Sequence, residues 1–386
     1  LNVNTPNFHP MWRDVRFNVN AVEDLELTDY LDGQQYEETI DVLIERGSVE
    51  GLAYKAFLED LETDLPTFYF SYDWRKSNRW NAKKLDEFIE MLKSKSRARY
   101  KATEADYINK VNIVTHSMGN HICRFYIKDY GLGSIHKVAF AAPPFLGSLA
   151  MVNAMIKGQG MFKGVKKKLR EIVRTFPGAI ELLPRYEFAA MFDDDTPVDF
   201  FNKDHWQGGI IAIASKDDKR RRLSEKFLHN LEQGLKDVND LGTWLEDLNE
   251  EQRERMLVIV RDEFKTDQAM RVIKEVAQGD RVLTNTVEID KALKSEQGDG
   301  VVPHASSCCY FKELKTLAIE DSIRYDDDSH AFFMTEERVQ DLVGWFFNDD
   351  EDFDFRIPGN SIKQVIDMVA KMGKDSELRE HVIIKE

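Results

Sequence analysis

Cysteine is scarce: 386 residues hold three, Cys123 and the neighbours Cys308 and Cys309. These are too few and too poorly spaced for a disulfide framework or a cysteine metal site, so reduced thiols and no metal are expected. Basic residues are outnumbered as well, 53 Lys and Arg against 69 Asp and Glu, for a formal net charge of −16. Nucleic-acid binding needs a basic face that releases counterions, so no nucleic-acid partner is expected. No run approaches the about 18 apolar residues of a membrane-spanning helix. The opening Leu1-Asn2-Val3-Asn4-Thr5-Pro6 has neither the basic start nor the apolar centre of a signal peptide. A cytoplasmic chain is the expectation, with an upstream signal left open because a start at Leu1 marks a processed or truncated product. The acidic run Asp349-Asp350-Glu351-Asp352-Phe353-Asp354 lacks the glycine and spacing of an EF-hand and reads as a solvated linker.

What is present centres on one stretch. Val111, Ile113 and Val114 form a β-branched run of the kind a parallel sheet buries, and Ile122, Phe125 and Tyr126 follow at helical spacing. Between them lies Thr115-His116-Ser117-Met118-Gly119. A strand that passes straight into a helix forces its junction residue into a strained turn and asks for small neighbours two positions away. The pattern is a nucleophile elbow with Ser117 at its tip and Thr115 in place of the usual first glycine.

Around this stretch the chain alternates. A helix over 54–61, an aromatic strand over 66–71, an amphipathic helix over 80–95, the elbow, and an apolar strand over 136–142 predict an α/β fold, a mostly parallel sheet with helices on both faces. Alternation stops between 148 and 255 and resumes at Met256-Leu257-Val258-Ile259-Val260, which predicts a large helical cap inserted into one hydrolase domain, 1–347. The cap opens with Met151, Met155, Met161 and Phe162, flexible apolar side chains suited to acyl chains of varied shape. It continues with Lys163, Lys166, Lys167, Lys168, Arg170 and Arg174, a basic face open to transient contact with a lipid surface. A buried apolar side backed by a solvated basic side explains the same pattern. After Val260 a hairpin over 281–289, a strand over 314–319 and a helix over 336–347 are expected, and 348–386 is an acidic linker with a helical tail.

A serine hydroxyl is a poor nucleophile at neutral pH and needs a base within hydrogen-bond reach, itself oriented by a carboxylate. In the α/β-hydrolase order of serine, acid, histidine, only His304, His330 and His381 come late enough in the chain. His330 falls in a loop between a strand and a helix, whereas His304 shares its loop with Asp299 and His381 sits in the tail. For the acid, Asp299 lies between Gly298 and Gly300 in a tight turn, with Asp262 and Asp267 as the alternatives. No cofactor is required.

Five segments together resemble the lecithin:cholesterol acyltransferase-like branch of the α/β-hydrolases. They are Tyr72-Asp73-Trp74-Arg75, the elbow, Ala142-Pro143-Pro144-Phe145-Leu146-Gly147, Arg174-Thr175-Phe176-Pro177-Gly178-Ala179-Ile180-Glu181-Leu182-Leu183-Pro184, and Gly298-Asp299-Gly300-Val301-Val302-Pro303 with His330 beyond. The resemblance implies that Ser117, Asp299 and His330 are nucleophile, acid and base, that the Met118 N–H is one oxyanion donor, and that Trp74 lies near the acyl groove. It also implies an apolar first strand and a turn supplying a second oxyanion donor. Nothing in 1–60 matches it, so either the sequence begins downstream of that element, as the start at Leu1 favours, or the protein lacks it.

The expected activity is hydrolysis or acyl transfer on carboxylic esters of lipids through an acyl-enzyme. Deacylation of thioesters or lipid anchors uses the same chemistry with a different pocket, and a hydrolase fold kept as a non-catalytic binding module is the reading from another class. Labelling by a fluorophosphonate separates the last from the others.

Overall fold

The computed structural model describes residues 54, 57, 67–99, 108–158, 166–207, 210–211, 215–261, 264–273, 286–288, 294–295, 298–319, 330–348 and 362–364. The expected strand in 1–50, His381 and the tail's helical portion fall outside these.

The elbow strand β1 (Val111–His116) pairs in parallel with β2 (Ile135–Ala141). Between them runs α2 (Gly119–Tyr130), packed against α1 (Asn78–Arg99). β3 (Ala190–Phe192) belongs to a second sheet, and β4 (Met256–Arg261) returns to the first beside β2. β9 (Lys315–Ile319) extends it and β10 (Ile362–Gln364) closes it, so the order is β1-β2-β4-β9-β10, parallel but for the last strand. Period-2 alternation divides these strands between two cores. Val138, Phe140, Val258 and Ala318 face α1 and α2, whereas Ala139, Ala141, Leu257, Ile259 and Leu317 face the C-terminal helix Glu337–Asn348. Burial on both faces is why the sequence here is a continuous apolar run. The mostly parallel α/β sheet expected from the sequence is the architecture found.

Three details differ from the sequence reading. Residues 67–73 form no ladder among the described residues; their aromatic content serves packing instead, Phe70 stacking on Tyr72 and touching Phe88. Aromatic enrichment reports a demand for burial more than for pairing. Within the stretch read as linker and helical tail, β10 (Ile362–Gln364) is a strand antiparallel to β9, completing an edge whose backbone groups would otherwise face water. The insertion is also not one continuous body. Leu241, Trp244, Leu245 and Leu248, at its end, belong to the main core, while β3 pairs in parallel with β6 (Met270–Ile273), which lies beyond β4 and pairs in turn with β7 (Thr286–Glu288). A short antiparallel pair, β5 (Thr266–Asp267) with β8 (Lys294–Ser295), completes the strands.

The remaining insert packs on its own core. α3 (Leu149–Lys157), α4 (Lys166–Val173), α5 (Pro177–Ile180) and α6 (Asp218–Gly242) enclose Val152, Met155, Val173, Ile180 and Phe227. Its docking explains the sequence motifs. The Gly178 N–H donates to the Arg75 carbonyl, and a Cβ at Gly178 would stand 2.5 Å from the Lys76 oxygen, 2.6 Å from the Trp74 oxygen and 2.7 Å from the Met118 methyl. Ser148 N–H donates to Leu182 O and Arg185 N–H to Leu146 O, tying Leu146–Ser148 to the far end of the same segment. Three motifs that are distant in sequence thus meet around the elbow. Gly178→Ala should destabilise the protein by about 1–3 kcal/mol or more, since two of the three clashes are with backbone that cannot swing aside. Urea unfolding measures it, and a midpoint equal to wild type would mean that the cap is not docked this closely.

Candidate active site

β1 ends at His116 and α2 begins at Gly119, so Ser117 must reverse the chain in one step, and it does so at φ 53°. A non-glycine residue there costs about 1–3 kcal/mol, which surrounding bonds must hold. Ser117 N–H donates to Ala141 O at 3.1 Å, and the Asn120 amide donates to Ser117 O at 2.6 Å and Ala141 O at 3.0 Å. Thr115 orients that amide by donating its hydroxyl to Asn120 Oδ1 at 2.7 Å. The threonine that stands where the motif has glycine is therefore a strut as well as a small residue. Gly119 is less constrained than the motif implies, because a methyl there would meet Thr115 and Tyr72 only at 3.8 and 3.9 Å.

Ser117 Oγ lies 2.8 Å from His330 Nε2, and His330 Nδ1 lies 2.7 Å from Asp299 Oδ2. The carboxylate can only accept, so Nδ1 carries the proton and Nε2 presents its lone pair to the serine. Asp299 Oδ1 accepts the N–H groups of Val301 at 2.9 Å and Val302 at 2.7 Å. Burial by itself raises the Asp299 pKa. The positive charge His330 can carry, with the hydrogen bonds from His330, Val302 and Val301, outweighs burial and holds it below the usual carboxylate value. Gly298, at φ 153°, allows the turn to press against Thr266, whose hydroxyl oxygen would be 2.5 Å from a Cβ and accepts the Gly300 N–H at 2.9 Å.

The other histidines have different partners. His304 is buried and bonded through Nε2 to Arg261 O at 2.9 Å, and burial lowers its pKa. His116 had no role in the sequence reading, yet its Nε2 donates to the His330 carbonyl at 3.0 Å while Nδ1 accepts from the Tyr54 hydroxyl at 2.7 Å. Burial first, and then the charge on His330, push its pKa down to about 3, so it stays neutral and holds the His330 backbone. Its one sequence signal was its position next to Ser117 on the opposite face of the strand. Of the alternative acids, Asp267 lies near Tyr186, whose pKa is raised by burial first and then by the Asp267 charge, and Asp262 is outside the described residues.

Among the described residues the Met118 N–H has no hydrogen-bond partner, and its side chain lies under Gly178. Trp74 meets Phe176 edge-on at 5.1 Å, beside the buried Asp73–Arg75 pair at 2.7 Å. Met151 is half-buried against the cap core, but Met155 is wholly buried in it. Met155 therefore does not line an open acyl trough: α3 turns its apolar side inward, toward Ile172 and Val173. Met161, Phe162 and the side chains of Lys166, Lys167 and Lys168 fall outside the described residues.

Where cap meets core, Glu181 is 1% exposed and accepts Asn78 N–H at 2.9 Å and its side-chain amide at 2.7 Å. Burial, against the opposing Asn78 bonds, raises its pKa to about 8. The folded protein holds this proton where the unfolded chain has lost it. Stability should therefore be highest below about pH 4.5 for this group and fall by about 1.4 kcal/mol per unit until about pH 8. Glu181→Gln should flatten that part of the stability profile, as read from urea unfolding between pH 5 and 8; an unchanged slope would assign it to other groups.

The model of the family described as lecithin:cholesterol acyltransferase matches residues 61–298, more than half of the chain. Among curated proteins none matches. Among solved structures, a chain in the crystal structure of the Tle4-Tli4 complex superposes with a TM-score of 0.54 at 16% identity, covering 73% of this chain and 68% of that one. Identity that low carries the fold alone, and the fold agrees with the α/β-hydrolase reading. The chain belongs to the lecithin:cholesterol acyltransferase family and is an enzyme of lipid ester hydrolysis or acyl transfer.

Proposed function

We propose that the protein is a serine esterase of long-chain lipid esters, working through a Ser117–His330–Asp299 triad and an acyl-enzyme. The observation that carries this reading is the continuous relay, 2.8 Å from Ser117 Oγ to His330 Nε2 and 2.7 Å from His330 Nδ1 to Asp299 Oδ2. In acylation, Oγ attacks the ester carbonyl as Nε2 takes its proton. The tetrahedral oxyanion is met by the Met118 N–H and a second donor. Collapse expels the alcohol, which receives the proton from Nε2. Water, or an acceptor alcohol in a transfer reaction, then repeats the sequence on the acyl-enzyme and releases acid or new ester. Asp299 stabilises the imidazolium throughout and stays ionised.

In this reading residues 1–347 form the catalytic domain, and the insertion at 148–255 roofs Ser117, since it leaves the sheet at the carboxyl end of β2 beside the elbow. The acyl chain runs past Met118 toward Trp74 and Met151. A series of soluble esters from two to sixteen carbons tests the substrate class. Activity should rise beyond about six carbons, by up to about fourfold for each CH₂ buried at about 0.8 kcal/mol. A flat series, or a preference for acetyl esters, would exclude a lipid acyl pocket.

A further inference from the structure

The cap holds a cavity whose lining includes none of Ser117, His330 and Asp299. It has a volume of about 200 Å³ and opens between α4, α6 and the chain around Gln207. Three guanidinium groups, Arg170, Arg174 and Arg220, line it against a single carboxylate, Glu171. Among the described residues no carboxylate lies within ion-pair distance of any of the three. The neighbouring acidic groups are otherwise engaged: Asp217 caps α6 through the Lys219 and Arg220 N–H groups, and Asp218 pairs with Arg221. The adjoining sequence offers no remedy, since 159–169 contains Lys163, Lys166, Lys167 and Lys168 and no acidic residue, and 208–209 with 212–214 holds only Gly, Ala and Ile. In a chain of net charge −16, three cations gathered against one carboxylate run counter to the bulk composition.

Arg174 spends its Nε on the Met155 carbonyl at 2.8 Å, and Arg170 Nε is buried with no hydrogen-bond partner among the described residues. Burial, and then the neighbouring Arg170 charge, push the Arg174 pKa down to about 10, as expected of like charges held together in a partly dry place. The rest of the lining is Gln207 and Ser224 with the apolar Ile156, Leu223, Ile210 and Phe227, the last two buried. Guanidinium groups gathered above an apolar floor match an anionic head on a hydrocarbon stem, and arginine is the side chain best shaped for phosphate. The volume is below the roughly 300–1,000 Å³ of pockets that enclose a whole small ligand, so it suits a head group with its first few methylenes.

We propose that this cap cavity, lined by Arg170, Arg174 and Arg220 over Phe227, binds the phosphate head of an anionic amphiphile. The site needs no catalysis at Ser117, so its failure and that of the esterase reading are separable. Binding is measured on the Ser117→Ala protein, with monomeric dihexanoyl phosphatidic acid as probe, inorganic phosphate as the free anion, and phosphatidylcholine vesicles with and without phosphatidic acid. The expected result is saturable binding of the amphiphile, weakened about 10- to 100-fold in Arg170→Gln/Arg220→Gln. Inorganic phosphate should bind at least about tenfold more weakly, and vesicles should bind only with phosphatidic acid present, less so as salt is raised. Urea unfolding confirms that the double variant is folded. If its midpoint shifts, Arg220→Gln alone, at an exposed position, should still weaken binding by about tenfold. Unchanged amphiphile binding in a folded variant would overturn the proposal. Equal affinity for inorganic phosphate would also overturn it, leaving a site for the free anion.

Discussion

Ser117→Ala is expected to abolish labelling by a fluorophosphonate and to lower kcat by about 10⁴-fold or more. The hydroxyl oxygen is the atom 2.8 Å from His330 Nε2, and alanine leaves nothing for that base to deprotonate. The substitution should be almost silent in stability. Both residues carry a Cβ at the same φ of 53°, and the bonds that hold the turn involve the Ser117 backbone and the Asn120 amide rather than Oγ. A folded, substrate-binding and inactive protein is thus the predicted state. What remains should be only the rate provided by binding and the oxyanion donors. Labelling that persists in the variant would move the nucleophile elsewhere and take the esterase mechanism with it.

Asp299→Asn should lower kcat by about 10⁴-fold at neutral pH while leaving the fold intact. The geometry sets the direction of the effect. Oδ1 of residue 299 accepts two backbone N–H groups, from Val301 and Val302, so an asparagine would keep its oxygen there and turn its NH₂ toward His330 Nδ1. An N–H facing Nδ1 makes that nitrogen the acceptor and shifts the ring proton to Nε2, the atom that must take the serine proton. The base would be present, correctly placed and in the wrong tautomer. A pre-steady-state burst assay separates slow acylation from slow deacylation, and both should suffer, because His330 acts in each. A loss of less than about tenfold would mean that a different carboxylate orients His330.

Much of this was legible because the signals are local. The strand–serine–helix order rests on burial periodicity over 111–127, and the glycines flanking Asp299 mark a turn that other residues fit poorly. The Arg174–Pro184 segment was recognisable as a motif but not as an object, since its glycine is explained only by backbone from 74–76 lying against it. Contacts that depend on chain brought from afar left little trace. The Tyr54–His116–His330 chain joins three segments, and its middle residue had no pattern of its own. Met155 read as a substrate-facing methionine because apolar spacing marks a buried side without saying what covers it; the covering turned out to be the cap's own core.

By itself the sequence determined the parallel α/β class and the family, and it narrowed the candidates for the proposed triad to Ser117, a late histidine and one of three carboxylates, because burial on both faces, turn chemistry and chain order are written residue by residue. Tertiary structure alone decided that Thr115 and Asn120 brace the elbow, that β3 pairs with a strand beyond β4, that Glu181 keeps its proton near neutral pH, and that three arginines share one cavity with a single carboxylate. Those outcomes depend on the distance and dielectric between groups far apart in the chain, and neither quantity exists until the chain has folded.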